Sequence, residues 1–395
     1  MTVKRLEKIG ISPALAISGK AKQMVRDGID VIDFSLGEPD FPTPTPIKEA
    51  AKKAIDDNFT RYTHAQGIPE LRQAVVEKLG RDNGLSVSTD EVIISSGAKH
   101  SLSTACMALI DPGDEAIIPA PYWFSYPPMV YLAGGCPRIL RTREEDHFLL
   151  TPEAFEAAIT PRTRVLFLNN PSNPTGMTYP RKHLEALAEI AARHDVRVIA
   201  DEIYEKLLFS GEFVCFASLG EKARRITVTI NGFSKAYAMT GWRLGYAAGP
   251  KDIIADMTRI QSQTTSSICS ISQKAGIGAL TADQSVVDEM VDVFRGRRRL
   301  IVDRLQKIPG VDCLLPDGAF YAFPNVSTLY DRLPDLTERS EGSIHLAEYL
   351  LDSAHIAVVP GIAFGAEENI RLSYATSTEK IDEGLTRFQN ALACL

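Results

Sequence analysis

Residues 164–201 read RVLFLNNPSNPTGMTYPRKHLEALAEIAARHDVRVIAD. An apolar run at 164–169 ends in Asn169. The segment 181–194 then places Leu184, Leu187 and Ile190 at helical spacing. A second apolar run, 197–201, closes on Asp201. Strand, helix and strand in that order predict a βαβ unit, whose two strands lie parallel with the helix crossing between them.

The same alternation continues on both sides, with candidate strands at 91–95, 115–119, 226–231 and 243–248. It predicts an α/β fold with a mostly parallel sheet flanked by helices. In such sheets ligands bind outside the carboxyl ends of the strands. Residues 285–307 then read as one long charged helix. Shorter strands follow at 319–323, 356–359 and 369–372, with a final helix from about Thr378. Together with a helix near 18–27, this predicts a smaller α+β domain built from both termini. The expected division is an N-terminal arm and part of the small domain at 1–42, a large domain at 43–288, and a small C-terminal domain at 289–395. The polar, proline-bearing stretch 333–342 reads as a mobile surface loop. Arg295, Arg297, Arg298 and Arg299 read as a solvated helix face.

At 395 residues the chain exceeds the length at which single cores stop growing. It can bury a large core without disulfides or metal. A formal net charge of −7 gives no reason to expect a nucleic-acid or membrane partner. The six cysteines form no C-x-x-C pair and no cluster with histidine, so no metal is expected, and most should be small buried hydrophobes. The charged N-terminus lacks the apolar run of a signal peptide, and no stretch is long enough to span a bilayer. A cytoplasmic protein is expected.

Polar motifs stand at the strand ends. After 226–231 comes Asn231-Gly232-Phe233-Ser234-Lys235, then Met239-Thr240-Gly241-Trp242-Arg243. A solvated turn lysine is one reading of Lys235. A buried amine beside another cation is the other, since burial and repulsion free it for imine chemistry. Arg243 would be that cation and could grip a phosphate with two parallel hydrogen bonds. Asp201 heads Asp201-Glu202-Ile203-Tyr204 and is either a helix N-cap or a partner for a cationic ring nitrogen. Asn170-Pro171-Ser172-Asn173-Pro174-Thr175-Gly176 is a tight turn that could aim Asn173 at a ligand. Gly97 and Ala98 lie in a small-residue loop opening a helix, where free backbone N–H groups could cradle a phosphate. Trp123 is either a core ring or a stacking platform. Gly37 sits in the turn Gly37-Glu38-Pro39-Asp40-Phe41. Arg371 is a lone charge in an apolar strand, where a planar fork suits a carboxylate.

Taken in order, Gly-Glu-Pro-Asp-Phe, Pro-Tyr-Trp, Asn-Pro-x-Asn-Pro-Thr-Gly, Asp-Glu-Ile-Tyr, Ser-Lys with Gly-Trp-Arg, and Arg-Leu-Ser-Tyr resemble the class I/II aminotransferases of pyridoxal-phosphate fold type I. The resemblance runs over essentially the whole chain. It implies that Lys235 holds pyridoxal 5'-phosphate as a Schiff base and later moves the substrate proton. It implies that Asp201 pairs with the pyridine nitrogen, that Asn173 and Tyr204 contact the phenolate oxygen, and that Trp123 stacks on the ring and borders the substrate. Gly97, Ala98 and Arg243 would hold the phosphate, joined by Tyr62 from the neighbouring subunit of a homodimer. Arg371 would clamp the substrate α-carboxylate, with Asn173 and Gly37 assisting. The implied reaction is ping-pong transfer between an amino acid and a 2-oxo acid.

In motif detail the chain is most similar to the bacterial aspartate aminotransferase branch. There a lysine in the phosphate-loop helix meets the distal carboxylate, a position held here by Lys99. Members that take prephenate carry a hydroxyl residue where this chain has Ala14. The expectation is therefore aspartate with 2-oxoglutarate. The alternatives are an aromatic or prephenate aminotransferase, or a C–S lyase of the same fold. A ligand-sensing regulator would need an added DNA-binding domain, which is not expected with the family motifs starting by Gly37.

Overall fold

The central strands are apolar on both faces because helices cover both faces of the sheet. In the strand Thr163–Asn169, Val165 and Phe167 point into one apolar cluster with Leu102, Ile254 and Met257. Leu166 and Leu168 point into the opposite cluster with Leu184 and Leu187. The two-residue period of a strand thus divides one run of apolar side chains between two cores. The chain is described from a computed structural model, which covers residues 4–10, 12–334 and 341–393.

Seven strands form the main sheet, in the spatial order Val92–Ser95, Gly245–Ala248, Thr227–Gly232, Arg197–Asp201, Thr163–Asn169, Glu115–Ala120 and Cys136–Arg141. The five from Thr227–Gly232 onward run parallel to one another. Gly245–Ala248 runs antiparallel to both of its neighbours. This reversal matters for the site. Gly245 pairs with Ser95 on one side and with Gly232 on the other. The residues just before this strand therefore meet the residues just after the other two.

A smaller sheet joins Val359–Pro360, Ile370–Ser373 and Tyr321–Ala322 in antiparallel order. Ile32–Asp33 pairs in parallel with Ile356–Ala357, which brings the N-terminal segment into the C-terminal half. Phe34 continues that link, donating from N to Ala357 O and accepting from Ser373 N, each at 2.8 Å. Phe34, Ile381, Leu385 and Phe388 are buried together, so the final helix Thr378–Ala393 closes over the arm. Among the described residues no helix is long and apolar enough to cross a membrane.

The structure departs from the sequence reading in several places. The edge strand Cys136–Arg141 was not expected. Its alternating half-exposed residues lack a clean apolar pattern, and it is ordered by pairing with Glu115–Ala120. The strand expected from Arg243 begins at Gly245, because Arg243 takes a left-handed backbone (φ 51°) that closes a 3₁₀ turn. The helix near 18–27 starts earlier, at Pro13, and ends at Arg26. The expected break at 288/289 falls inside the helix Ser285–Leu305. The arginines of that helix do not share one solvated face, since Arg297 and Arg298 are buried. Arg297 forks onto Asp40 with bonds of 2.7 and 2.9 Å. Cys106, Cys215 and Cys313 are buried, whereas Cys136 and Cys269 are exposed; Cys394 lies outside the described residues. Residues 335–340 of the expected loop also lie outside them, and Gly342 already belongs to the helix Gly342–Ala354.

Candidate active site

One cavity of about 260 Å³ opens at the carboxyl edge of the main sheet. Ten of the residues singled out from sequence line it: Gly37, Ala98, Lys99, Trp123, Asn173, Asp201, Tyr204, Lys235, Arg243 and Arg371. They come from segments spread along the chain because parallel strands end at one edge.

Lys235 lies in the turn after Thr227–Gly232. Its Nζ donates to the Gly37 carbonyl. Burial pulls the amine down to about 8, opposed by the Glu38 charge and assisted by Arg371 and Arg243. Asp201 ends its strand 4% exposed. Burial raises its carboxyl to about 6, while a hydrogen bond from Tyr126 Oη to Oδ2 (2.8 Å) and one from the Ile203 N–H to Oδ1 (3.3 Å) favour the anion. Asn169, opposite Asp201 in the parallel ladder, donates from Nδ2 to Asp201 O (2.9 Å) and accepts from Asn173 N at Oδ1 (2.7 Å). A single side chain therefore ties two strand-end loops together.

Gly97 precedes the helix Ala98–Leu109 with φ +83°, and an added Cβ would collide with the Arg243 guanidinium. Gly245 likewise has no room for a side chain beneath Gly97 and Ala98. Arg243 donates from Nη1 to Thr240 O (2.9 Å) and from Nη2 to Ser96 O (3.4 Å), and has no ion pair among the described residues. Together these make a backbone cradle with a free cation beside it, the chemistry of an anion site.

Arg371 is 4% exposed. It donates from Nη1 to Asn173 Oδ1 (3.0 Å) and from Nη2 to Ser35 O (2.8 Å). Its Nε has no partner, and no carboxylate pairs with it among the described residues. A buried guanidinium without an anion is costly, and burial lowers its pKa. The Nζ of Lys99 sits 4.7 Å from the Trp123 ring centroid. Partial desolvation and then the Arg243 charge hold its pKa below the usual lysine value, and it too has no carboxylate partner among the described residues.

Tyr62 stands apart from this group. It is 92% exposed and does not line the cavity. Sequence reasoning also passed over Tyr126, Asn169, Ser35 and Tyr321, which line the cavity or bond its residues. Tyr126 stood within reach, three residues after Trp123 at the start of the helix Tyr126–Leu132. Nothing local marks Tyr321, whose hydroxyl meets that of Tyr204 at 2.8 Å.

A lysine with a depressed pKa, a buried carboxylate and two anion-seeking sites match the order of motifs seen in sequence, and comparison with known proteins agrees. An "Aspartate aminotransferase" of Geobacillus stearothermophilus is 46% identical over 397 residues, covering 99% of each chain. An "Aspartate/prephenate aminotransferase" of Nitrosomonas europaea is 43% identical, again over 99% of each. The solved structure of the aspartate aminotransferase of Thermus thermophilus with maleate superposes with a TM-score of 0.93 at 42% identity, covering 99% of both chains. The model of the family "Aminotransferase class I and II" matches residues 29–388, nearly the whole length over which these motifs fall, and the chain belongs to that family.

Proposed function

We propose that this aminotransferase works with pyridoxal 5'-phosphate in the cavity described above, taking its amino group from L-aspartate and giving it to 2-oxoglutarate by a ping-pong sequence. The observation that carries the reading is Lys235: an amine lowered to about 8 by burial, in one cavity with the buried Asp201 and the unpaired Arg371. When bound, the cofactor supplies a carbonyl for amino exchange and a ring that takes up electrons from the substrate α-carbon.

The residues fit such a group. The Gly97–Ala98 turn leaves room for phosphate oxygens where a Cβ would intrude, and Arg243 adds an unpaired cation. Asp201 offers a buried carboxylate to a protonated ring nitrogen, so each charge offsets the other's desolvation. Trp123 offers a ring face, while Asn173 and Tyr204 bring polar atoms to the same space. Lys235, free of the cofactor once substrate has entered, is the base that takes the α-proton and returns it. Its pKa of about 8 leaves a usable share of neutral amine near neutral pH. Arg371 receives the α-carboxylate through the valence left on its guanidinium. Tyr62, exposed and outside its own cavity, is suited to reach the phosphate site of a second copy, which makes the working unit a homodimer.

Lys99 supports a dicarboxylate substrate, as an ammonium at the cavity wall with no carboxylate partner among the described residues. Maleate, seen with the Thermus relative, is itself a dicarboxylate. The prephenate reading, named for the Nitrosomonas relative, is less supported. Ala14 brings no hydroxyl; it is buried in an apolar cluster with Phe323 and Phe364, against which Phe124 packs.

The test follows the cofactor's visible absorption after adding L-aspartate, L-glutamate, L-alanine or L-phenylalanine without oxo acid. Aspartate should convert the lysine-bound band, near ~400 nm, faster than alanine or phenylalanine. A band that no donor converts supports a lyase instead. Absence of any band, with Lys235→Ala no different, overturns the reading.

A further inference from the structure

The hydroxyls of Tyr204 and Tyr321 lie 2.8 Å apart at the wall of the cavity. Tyr204 follows the strand Arg197–Asp201 of the large domain. Tyr321 belongs to the small antiparallel sheet, where Ser373 is its partner in the register. Both rings are buried. The bond therefore joins the two domains through the interior of the site.

Each phenol carries a single hydrogen. Between two otherwise unoccupied hydroxyls, either can be the donor. With the cofactor in place the choice narrows. If Tyr204 gives its hydrogen to the ring oxygen of the cofactor, only Tyr321 can donate between the two, and Tyr204 must accept. We propose that Tyr321 is a positioning residue: it donates into Tyr204 from the small domain and so directs the Tyr204 proton toward the cofactor. This inference rests on the pyridoxal-phosphate reading above and adds to it a residue that reading does not use.

Two further features favour this direction. The guanidinium carbon of Arg371 lies 4.4 Å from the Tyr321 ring centroid, so a cation strengthens the Tyr321 O–H as a donor. Gly37 lies against the same hydroxyl; a Cβ built there would stand 3.0 Å from Tyr321 Oη. The absence of a side chain at Gly37 leaves the phenol free to reach Tyr204. Tyr321 thus touches the arginine assigned to the substrate carboxylate and the tyrosine assigned to the cofactor.

The experiment is a pH titration of the visible absorption of cofactor-loaded protein without substrate, for wild type, Tyr321→Phe, Tyr204→Phe and the double variant. Losing the donated bond makes Tyr204 a weaker donor to the anionic ring oxygen. That oxygen then keeps more of its negative charge, which holds the cofactor proton that titrates with the visible band more tightly, and the titration midpoint rises. The expected rise for Tyr321→Phe is roughly 0.5–1 pH unit, the size of one neutral hydrogen bond. The double variant should match Tyr204→Phe, because Tyr321 acts only through it. The phenyl ring is retained under Arg371, so KM for the amino acid should change less than kcat. Tyr321→Leu, which also removes the ring, should give the same midpoint shift with a raised KM. An unchanged midpoint in Tyr321→Phe, or additive shifts in the double variant, overturns the proposal. A wild type with no titrating band instead overturns the cofactor reading and this inference with it.

Discussion

The Tyr126 hydroxyl donates a 2.8 Å hydrogen bond to Asp201 Oδ2, linking the first turn of the helix Tyr126–Leu132 to the end of the strand Arg197–Asp201. Burial favours the protonated form of Asp201. The phenol shifts the balance toward the anion, the form that can pair with a cationic ring. Tyr126→Phe should raise the Asp201 pKa above its present value of about 6. Cofactor affinity should therefore fall most at pH 6, by roughly tenfold, and little at pH 8, where the carboxylate is ionised in both proteins. Cofactor binding measured at the two pH values decides it. Equal losses at both would mean that the bond serves packing alone.

Gly97 has a left-handed backbone and faces Arg243. Gly97→Ala strains the turn and pushes the guanidinium out of the cradle. Arg243 can swing aside, so the chain should still fold. The strain is on the order of 1–3 kcal/mol, and cofactor affinity should drop by roughly 10- to 100-fold. Inorganic phosphate should compete with the cofactor less well in the variant. Affinity within twofold of wild type would remove Gly97 from the phosphate site.

On the proposed reading, Lys99 is the residue that tells substrates apart by their second charge. Lys99→Met keeps the stem over Trp123 and removes the ammonium. Charged hydrogen bonds contribute about 1.5–3 kcal/mol, so kcat/KM for aspartate should fall by roughly 10- to 150-fold. Alanine, which lacks the distal carboxylate, should be nearly unaffected. Parallel losses for both amino acids would show that Lys99 does not read the distal group.

Glu202 adjoins Asp201 in sequence but belongs to a different environment. It is 1% exposed and accepts the Phe216 N–H at 2.8 Å. Burial, reinforced by the Glu205 charge, raises its carboxyl to about 8. The neutral form is thus the one that suits the fold. Its stabilising contribution is complete below the ordinary glutamate pKa, and is lost progressively as pH rises through the folded value of about 8. Glu202→Gln should abolish that slope. Urea unfolding at pH 5.5, 7 and 9 should show the variant gaining on wild type with each step, by a few kcal/mol in all. A constant difference across the three would refute a buried neutral acid.

The sheet, its strand-end motifs and ten of the cavity residues were legible in the chain because their signals are local. An apolar run long enough for one strand, a turn rich in Asn, Pro and Gly, and a lysine among small residues can each be read within a short window. The rule that parallel strands end at one edge then gathers them without further information. The edge strand Cys136–Arg141 was missed for the opposite reason, since its order comes from a neighbour and not from its own pattern.

What tertiary structure alone decided is which side chain completes another. Tyr126 and Asp201 are 75 positions apart, Tyr204 and Tyr321 are 117 apart, and Arg371 reaches Ser35 across 336. No spacing rule links such pairs, because each depends on how strands, domains and rotamers meet once the cores have closed. The arginines of the helix Ser285–Leu305 make the same point. Their composition suggested a solvated face, yet Arg297 is buried against Asp40, since only the folded arm brings a carboxylate to that side of the helix. The sequence determined the chemistry available at each strand end. The fold determined the protonation and the partners with which that chemistry is carried out, because burial and long-range contact, which set both, arise only on folding.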